Sequence, residues 1–428
     1  MRPSKFFLFL IIALALPSLT CAALTPMEGW DIPPAEKAQI FEKKLHELHD
    51  VNGMILSDIR IYTGQDGSTW TVPGYDDSAY WTGNYLLAEC LRYAVTKDPE
   101  AKENAARSAR ALIRLTQVSS KPGLLVRGYM DASMSDRFRL TPNHSEYTYV
   151  TPDGIKYIGL DASVDQLIGA IQGFHYACRY LDDDALRAEI KTAVASVLDH
   201  IIEHNYTMED LDGKPTTWGV FTPGRTIETL HAFLILVVFR VGAYITGEKR
   251  HEDAYWYLYS DMKYGKKARI ANMLASLNRS DDAMEFMGYI NVFQVEDNHE
   301  ARKVYLSSLR RTWDKKVKTH DKAFLNLIAY HYLEDLPDNE EVLRQAIEQI
   351  RNFPTMKEHH TVDYSSYPRH NPKLPNPIQF RPVDCGYYWT ADTFETVYVK
   401  PPEYLQISPG HDFLMVYWLA RHWGYLNE

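Results

Sequence analysis

Four cysteines in 428 residues leave no room for a disulfide scaffold. Cys21 falls in the N-terminal leader described below, so Cys90, Cys178 and Cys385 can form one bridge at most. Cys90 and Cys178 lie within apolar helical patterns, where a free thiol packs as a small hydrophobe. No Cys-x-x-Cys pair or Cys/His spacing suits zinc, and neither a metal nor another cofactor is implied. Basic runs are also missing. The formal net charge is −10, which disfavours nucleic acid as a partner. Past the leader no apolar run is long enough to cross a bilayer; residues 232–243 include Arg240 and read as a buried helix. There is no G-x-S-x-G, no H-E-x-x-H and no dinucleotide fingerprint. Gly242 and Gly247 mimic two P-loop glycines, but the closing Gly-Lys-Ser/Thr is absent and the stretch follows a helix. Asp281-Asp282-Ala283-Met284-Glu285 is similar to an acidic magnesium motif of helical diphosphate enzymes, yet no second such motif accompanies it.

What is present begins with a leader. Arg2 and Lys5 precede an apolar run over 6–16, then Pro17 and small residues ending in Thr20-Cys21-Ala22, an acceptable signal-peptidase pattern. This predicts a signal peptide over 1–22, a secreted or periplasmic mature chain with no integral span, and one domain over 23–428. Ser18-Leu19-Thr20-Cys21 is a poor lipoprotein site, so a lipid anchor on Cys21 is not expected.

The rest of the chain is organised around residues 159–184, GLDASVDQLIGAIQGFHYACRYLDDD. Asp161 and Asp165 stand one helical turn apart, and Leu167, Ile168, Ile171, Phe174, Ala177 and Cys178 follow at helical spacing. Asp161 or Ser163 can cap the helix, and Asp165 suits its positive end. Similar helices recur. Six that are apolar on most faces are predicted to start near 76, 161, 226, 281, 321 and 411, and six with a charged face near 36, 100, 184, 251, 298 and 339. A helix apolar nearly all round is an inner one. Inner and outer types alternate, and the last inner helix is left to pair with the first outer one. The ring closes, giving an all-α (α/α)6 toroid. A Pro-rich segment, 353–408, is expected to cover its cleft.

In such a ring the inner helices run the same way, so their N-termini meet at one mouth. The residues there are Asp76, Asp77, Asp161, Asp165, Arg225, Glu228, Asp281, Asp282, Glu285, His320, Asp321, His411 and Asp412. Each acid alone reads as an ordinary cap; six such ends converging make a carboxylate-rich cleft. Crowded carboxylates raise one another's pKa, giving a general acid beside an ionised partner. Cleavage of a glycosidic bond needs such a pair, and Asp77 with Asp161 or Asp165 is the expected one. Trp81, Trp218 and Trp389 are the expected sugar-stacking residues; Asp76, Arg127, Arg225, Glu228, Asp282, His411 and Asp412 are expected to complete the binding surface. A polysaccharide lyase is the competing chemistry, with His144 or Tyr147 as base and a nearby arginine neutralising a substrate carboxylate. A non-catalytic glycan-binding toroid is the third reading. In all three the partner is a carbohydrate.

The stretch DDSAYWTGNYLLAECLRYAVTKDPEAKENAARSARALIRLTQVSSKPGLLVRGY resembles the first hairpin of secreted bacterial six-hairpin glycosidase-like proteins. GLDASVDQLIGAIQGFHYACRYLDD, DGKPTTWGVFTP and PGHDFLMVYWLARHWGYL are similar to later blocks of the same group, over roughly 76–240 and 409–425. The resemblance implies the (α/α)6 toroid, and places Asp77, Asp161, Asp165, Arg225 and His411 along the cleft. The wider superfamily includes glycoside hydrolases, unsaturated uronyl hydrolases and polysaccharide lyases.

Overall fold

Polar residues start most of the outer helices and glycine or left-handed residues stop several helices. Asp98 accepts the Glu100 N–H at 3.0 Å, with Pro99 in the first turn. Asp183 accepts the Leu186 N–H at 2.9 Å, and Asn298 accepts those of Glu300 and Ala301 at 3.1 and 3.0 Å. These bonds satisfy donors that a helix start leaves orphaned. Gly247, at φ +65°, ends one inner helix because a residue without Cβ turns left-handed at no steric cost.

The computed structural model describes residues 29, 31–140, 148–151, 156–222, 228–272, 279–318, 322–353, 355, 358–359 and 404–428. Among them are thirteen α-helices: α1 (Pro34–Leu48), α2 (Ser78–Thr96), α3 (Pro99–Leu115), α4 (Val164–Tyr180), α5 (Asp184–Glu203), α6 (Thr229–Thr246), α7 (Lys249–Trp256), α8 (Tyr264–Ala268), α9 (Arg279–Val292), α10 (His299–Thr312), α11 (Ala323–Tyr332), α12 (Asn339–Arg351) and α13 (His411–His422). Helices α2, α4, α6, α9, α11 and α13 touch in that order, and α13 returns to α2. Helices α3, α5, α7, α10 and α12 each pack behind the inner helix that precedes them, and α1 packs behind α13. The chain is thus an all-α (α/α)6 toroid. Phe41, Phe353 and Phe413 seal the closing seam, with ring centroids 5.0–5.9 Å apart. All three are fully buried, and burial of each contributes about 1.5–3 kcal/mol.

One expected outer helix is broken. The apolar and charged pattern from 251 predicts a single long helix, but Lys263 takes φ +61° and splits it into α7 and α8. Helix α6, apolar enough to span a membrane by composition, is an inner wall of the ring, 72% of that window being buried. The leader and most of the Pro-rich segment, 360–403, lie outside the described residues.

Two features tie α2 to α4. A Cβ on Gly83 would stand 1.9 Å from the Gly169 carbonyl oxygen, and one on Gly169 would stand 2.6 Å from the Tyr80 Cα. The two backbones meet with nothing between them. Deeper in the ring, Gln172 Nε2 donates to Asn84 Oδ1 at 2.8 Å, Asn291 Nδ2 donates to Gln172 Oε1 at 3.0 Å, and His175 Nδ1 lies 2.8 Å from Asn291 Oδ1. All four residues are fully buried, so these bonds fix the register of α2, α4 and α9; an unpaired polar group there would be costly. Burial pushes the His175 imidazole down to about 4, and it stays neutral.

An antiparallel sheet flanks the ring, in the order Glu358–His359, Tyr404–Ile407, Asp58–Thr63, Thr69–Gly74. Its last strand runs through Tyr75 into Asp76 and Asp77. The sheet therefore delivers the chain to the start of α2.

Candidate active site

Asp77 is the residue before α2, at φ −127°, and its side chain caps no backbone N–H. Its Oδ1 instead accepts from Gln166 Nε2 at 2.7 Å and from Arg127 Nη1 at 3.0 Å. Its Oδ2 has no hydrogen-bond partner among the described residues. Protein packs closely around the carboxyl, yet 43% of the side chain stays accessible, so the group remains open to a ligand. Burial is the first cause that raises its pKa, to about 7; the neighbouring charge of Asp165 is the second, and Arg127 opposes both.

Asp165 sits in the first turn of α4. Ser163 Oγ hydrogen-bonds its Oδ1. Ser163 N–H donates to Gln166 Oε1 at 2.7 Å, as in a capping box. Gln166 therefore holds the start of α4 with its oxygen and Asp77 with its nitrogen. Burial raises the Asp165 pKa, and Arg127 again works against the rise.

The next two inner helices supply their own groups. The Asp165 charge is felt by Asp281 at the start of α9 and by His231 in α6. Burial raises Asp281 to about 6, with Lys316 opposing and Asp282, Glu228 and Asp165 adding. Burial lowers His231, against the pull of Glu228 and Asp165. Glu228 is the exposed residue preceding α6. Helices α2, α4, α6 and α9 pack side by side, and the charges at their starts are close enough to be felt from one helix to the next. Trp218, 53% exposed, stands over His231 at 6.4 Å between centroids. It projects from the hairpin of Thr207–Glu209 with Pro215–Val220 and offers an open indole face.

Several expected site residues are buried or engaged by other parts of the chain. Asp161 is 9% exposed, and its Oδ1 is taken by the Thr217 N–H at 2.5 Å. Trp81 is 7% exposed and packs on His411 at 4.6 Å, within the α2–α13 seam. His411 and Asp412 are buried as well. Asp282 is fully buried, paired with Lys316 Nζ at 2.6 Å and accepting from Asn272 Nδ2 at 2.7 Å. The charge of Asp282 is compensated inside the protein. Lys316→Met is expected to destabilise the fold by about 3–5 kcal/mol, because it removes the cation paired with a fully buried carboxylate. Urea unfolding checks this, and a loss below about 1 kcal/mol would refute the pairing. Asp76 gives its carbonyl to Arg127 Nη1 at 3.4 Å, beside Asp77. His144, Tyr147, Arg225 and Trp389, like His320 and Asp321, fall outside the described residues.

Gln166 and His231 join the site without having been expected in it. Gln166 was legible as the third residue after Ser163, the capping-box spacing. His231 was legible as the residue one turn beyond Glu228 on the same face.

No protein-family profile matches the chain, and no curated protein matches it. Among solved structures it is similar to a crystal structure of an "unsaturated glucuronyl hydrolase specific for heparin". The two share 9% sequence identity at a TM-score of 0.47, over 91% of this chain and 95% of that one.

Proposed function

We propose that this protein is an exported carbohydrate-active enzyme that hydrolyses a glycosidic bond, with Asp77 as proton donor and Asp165 as the ionised partner. The observation that carries the reading is two carboxyls at the starts of adjacent inner helices, near enough that the Asp165 charge helps to raise the pKa of the accessible Asp77 to about 7. Asp77 then carries a proton at mildly acidic pH and can pass it to the departing glycosidic oxygen. Asp165, oriented by Ser163, either takes a proton from an attacking water or attacks the anomeric carbon itself. Trp218 supplies a face on which a sugar ring stacks. Export rests on residues 1–22 as a cleaved leader.

The test is a screen of the purified protein on neutral and uronic-acid glycans, reading reducing ends and near-ultraviolet absorbance together. New reducing ends without absorbance support hydrolysis. Reducing ends with absorbance mark elimination to an unsaturated sugar and overturn it. Binding without either signal, kept when Asp77 and Asp165 are both replaced, would make the toroid a non-catalytic glycan receptor.

A pH dependence follows from the same assignment. A proton donor works only while protonated, so activity is present below the Asp77 pKa and is lost above it. We expect kcat/KM to fall as pH rises through about 7. On the acid side it should fall as Asp165 takes up a proton. Arg127 holds the Asp77 pKa down, so Arg127→Gln should move the alkaline limb to higher pH. A limb that moves down or stays in place would contradict the assignment.

A further inference from the structure

Asp161 stands four residues before Asp165 in a left-handed conformation, φ +57°. Three of its groups are engaged by remote parts of the chain. Its N–H donates to Asp210 Oδ2 at 2.8 Å. Its Oδ1 accepts the Thr217 N–H at 2.5 Å. Its carbonyl accepts from Arg127 Nε at 2.9 Å. The first two bonds hold the hairpin at the residue that follows its first strand and at one inside its second, and Thr217 directly precedes Trp218, one Cα step of about 3.8 Å away. The third aims the Arg127 guanidinium, whose Nη1 then meets Asp77 Oδ1 at 3.0 Å. The left-handed backbone presents N–H, carbonyl and carboxylate to these three partners together. Asp, Asn and Gly tolerate that conformation; most residues do not.

We propose that Asp161 is a positioning residue that fastens the Trp218 hairpin and the Arg127–Asp77 pair to one point of the chain, and that it transfers no proton in the reaction. The proposal rests on the reading of Asp77 and Asp165 as the acid–base pair. It assigns two separable tasks to one residue. The side chain sets where the sugar-stacking indole stands, which governs binding. The backbone conformation sets where the Arg127 charge stands, which governs the proton affinity of Asp77.

Three substitutions in the full chain separate these tasks. Asp161→Asn keeps both the left-handed tolerance and an oxygen that accepts the Thr217 N–H. Asp161→Gly keeps the backbone and loses the acceptor. Asp161→Ala loses both. The measurements are amide exchange across the Thr207–Val220 hairpin and the pH profile of kcat and KM.

The Asn variant, as conservative rescue, is expected to keep hairpin protection, and kcat within about threefold of wild type. The Gly variant should exchange faster in the hairpin and raise KM about tenfold, with kcat and the alkaline midpoint little moved. The Ala variant should add an upward shift of that midpoint. A loss of about 100-fold in kcat for Asp161→Asn with the hairpin still protected would make Asp161 a catalytic carboxylate and overturn the proposal. Wild-type exchange in the Gly variant would also overturn it. If the wild-type chain cleaves no glycan, the acid–base reading fails by itself, and the exchange comparison still decides whether Asp161 is the clamp.

Discussion

Asp165→Asn and Asp77→Asn are each expected to lower kcat about 10²–10⁴-fold on the cleaved glycan, the usual contribution of a positioned acid or base. Each amide has the shape of the acid it replaces, so KM and thermal stability should change little. The double variant should be scarcely worse than the weaker single one, because the two groups act in one transition state and their losses do not add. The pair also interacts electrostatically. The Asp165 charge helps to raise Asp77, so whatever activity Asp165→Asn retains should show its alkaline limb at lower pH. Steady-state kinetics with circular dichroism on each variant make the check. If either single variant keeps more than about a tenth of wild-type kcat, that carboxyl is not in the proton path.

Gly83→Val is expected to have the largest effect on folding, above about 3 kcal/mol. Its Cβ would meet the Gly169 carbonyl at 1.9 Å. The obstacle is helix backbone, not a side chain that can swing away. Gly83→Ala meets the same atom. Its cost is offset in part by the roughly 0.5–1 kcal/mol that alanine gains over glycine inside a helix. Both variants force α2 from α4, and these helices carry Asp77 and Asp165. Activity at a temperature where the variant is folded should therefore drop further than the stability loss predicts, since catalytic groups displaced by about 1 Å can lose 10²-fold in rate. Gly424, at φ +76° with open space around it, offers a control: Gly424→Ala should show only mild backbone strain and no loss at the site. Equal effects of Gly83→Ala and Gly424→Ala would remove the close approach as the cause.

The distinction between Asp161 and Asp165 shows where reading residues in order stops. Both acids precede or open the same helix, both suit its positive end, and one turn separates them. Nothing within that stretch says that Asp210 and Thr217, some fifty residues on, will occupy Asp161. Among the described residues Asp165 hydrogen-bonds its own neighbour Ser163 and feels the charges of the mouth. Likewise Trp81 and Trp218 are both aromatic residues near helix or strand ends. Packing of α13 against α2 buries the first, while the second stands on a hairpin with an open face.

The alternation of apolar and charged helices, their caps and the gathering of acids at the inner starts were determined by the sequence alone. These depend on contacts within a few residues: the helical period, a side-chain oxygen reaching N–H groups two or three positions on, and the preference of acids for the helix N-terminus. Closure of the ring followed from those local facts by counting. Which carboxyl keeps a proton, which is reachable and which is spent on structure was decided only by the tertiary fold. Desolvation and Coulomb interaction act through space. The state of Asp77 is set by Arg127, Asp165 and Gln166, 50 to 89 residues away along the chain.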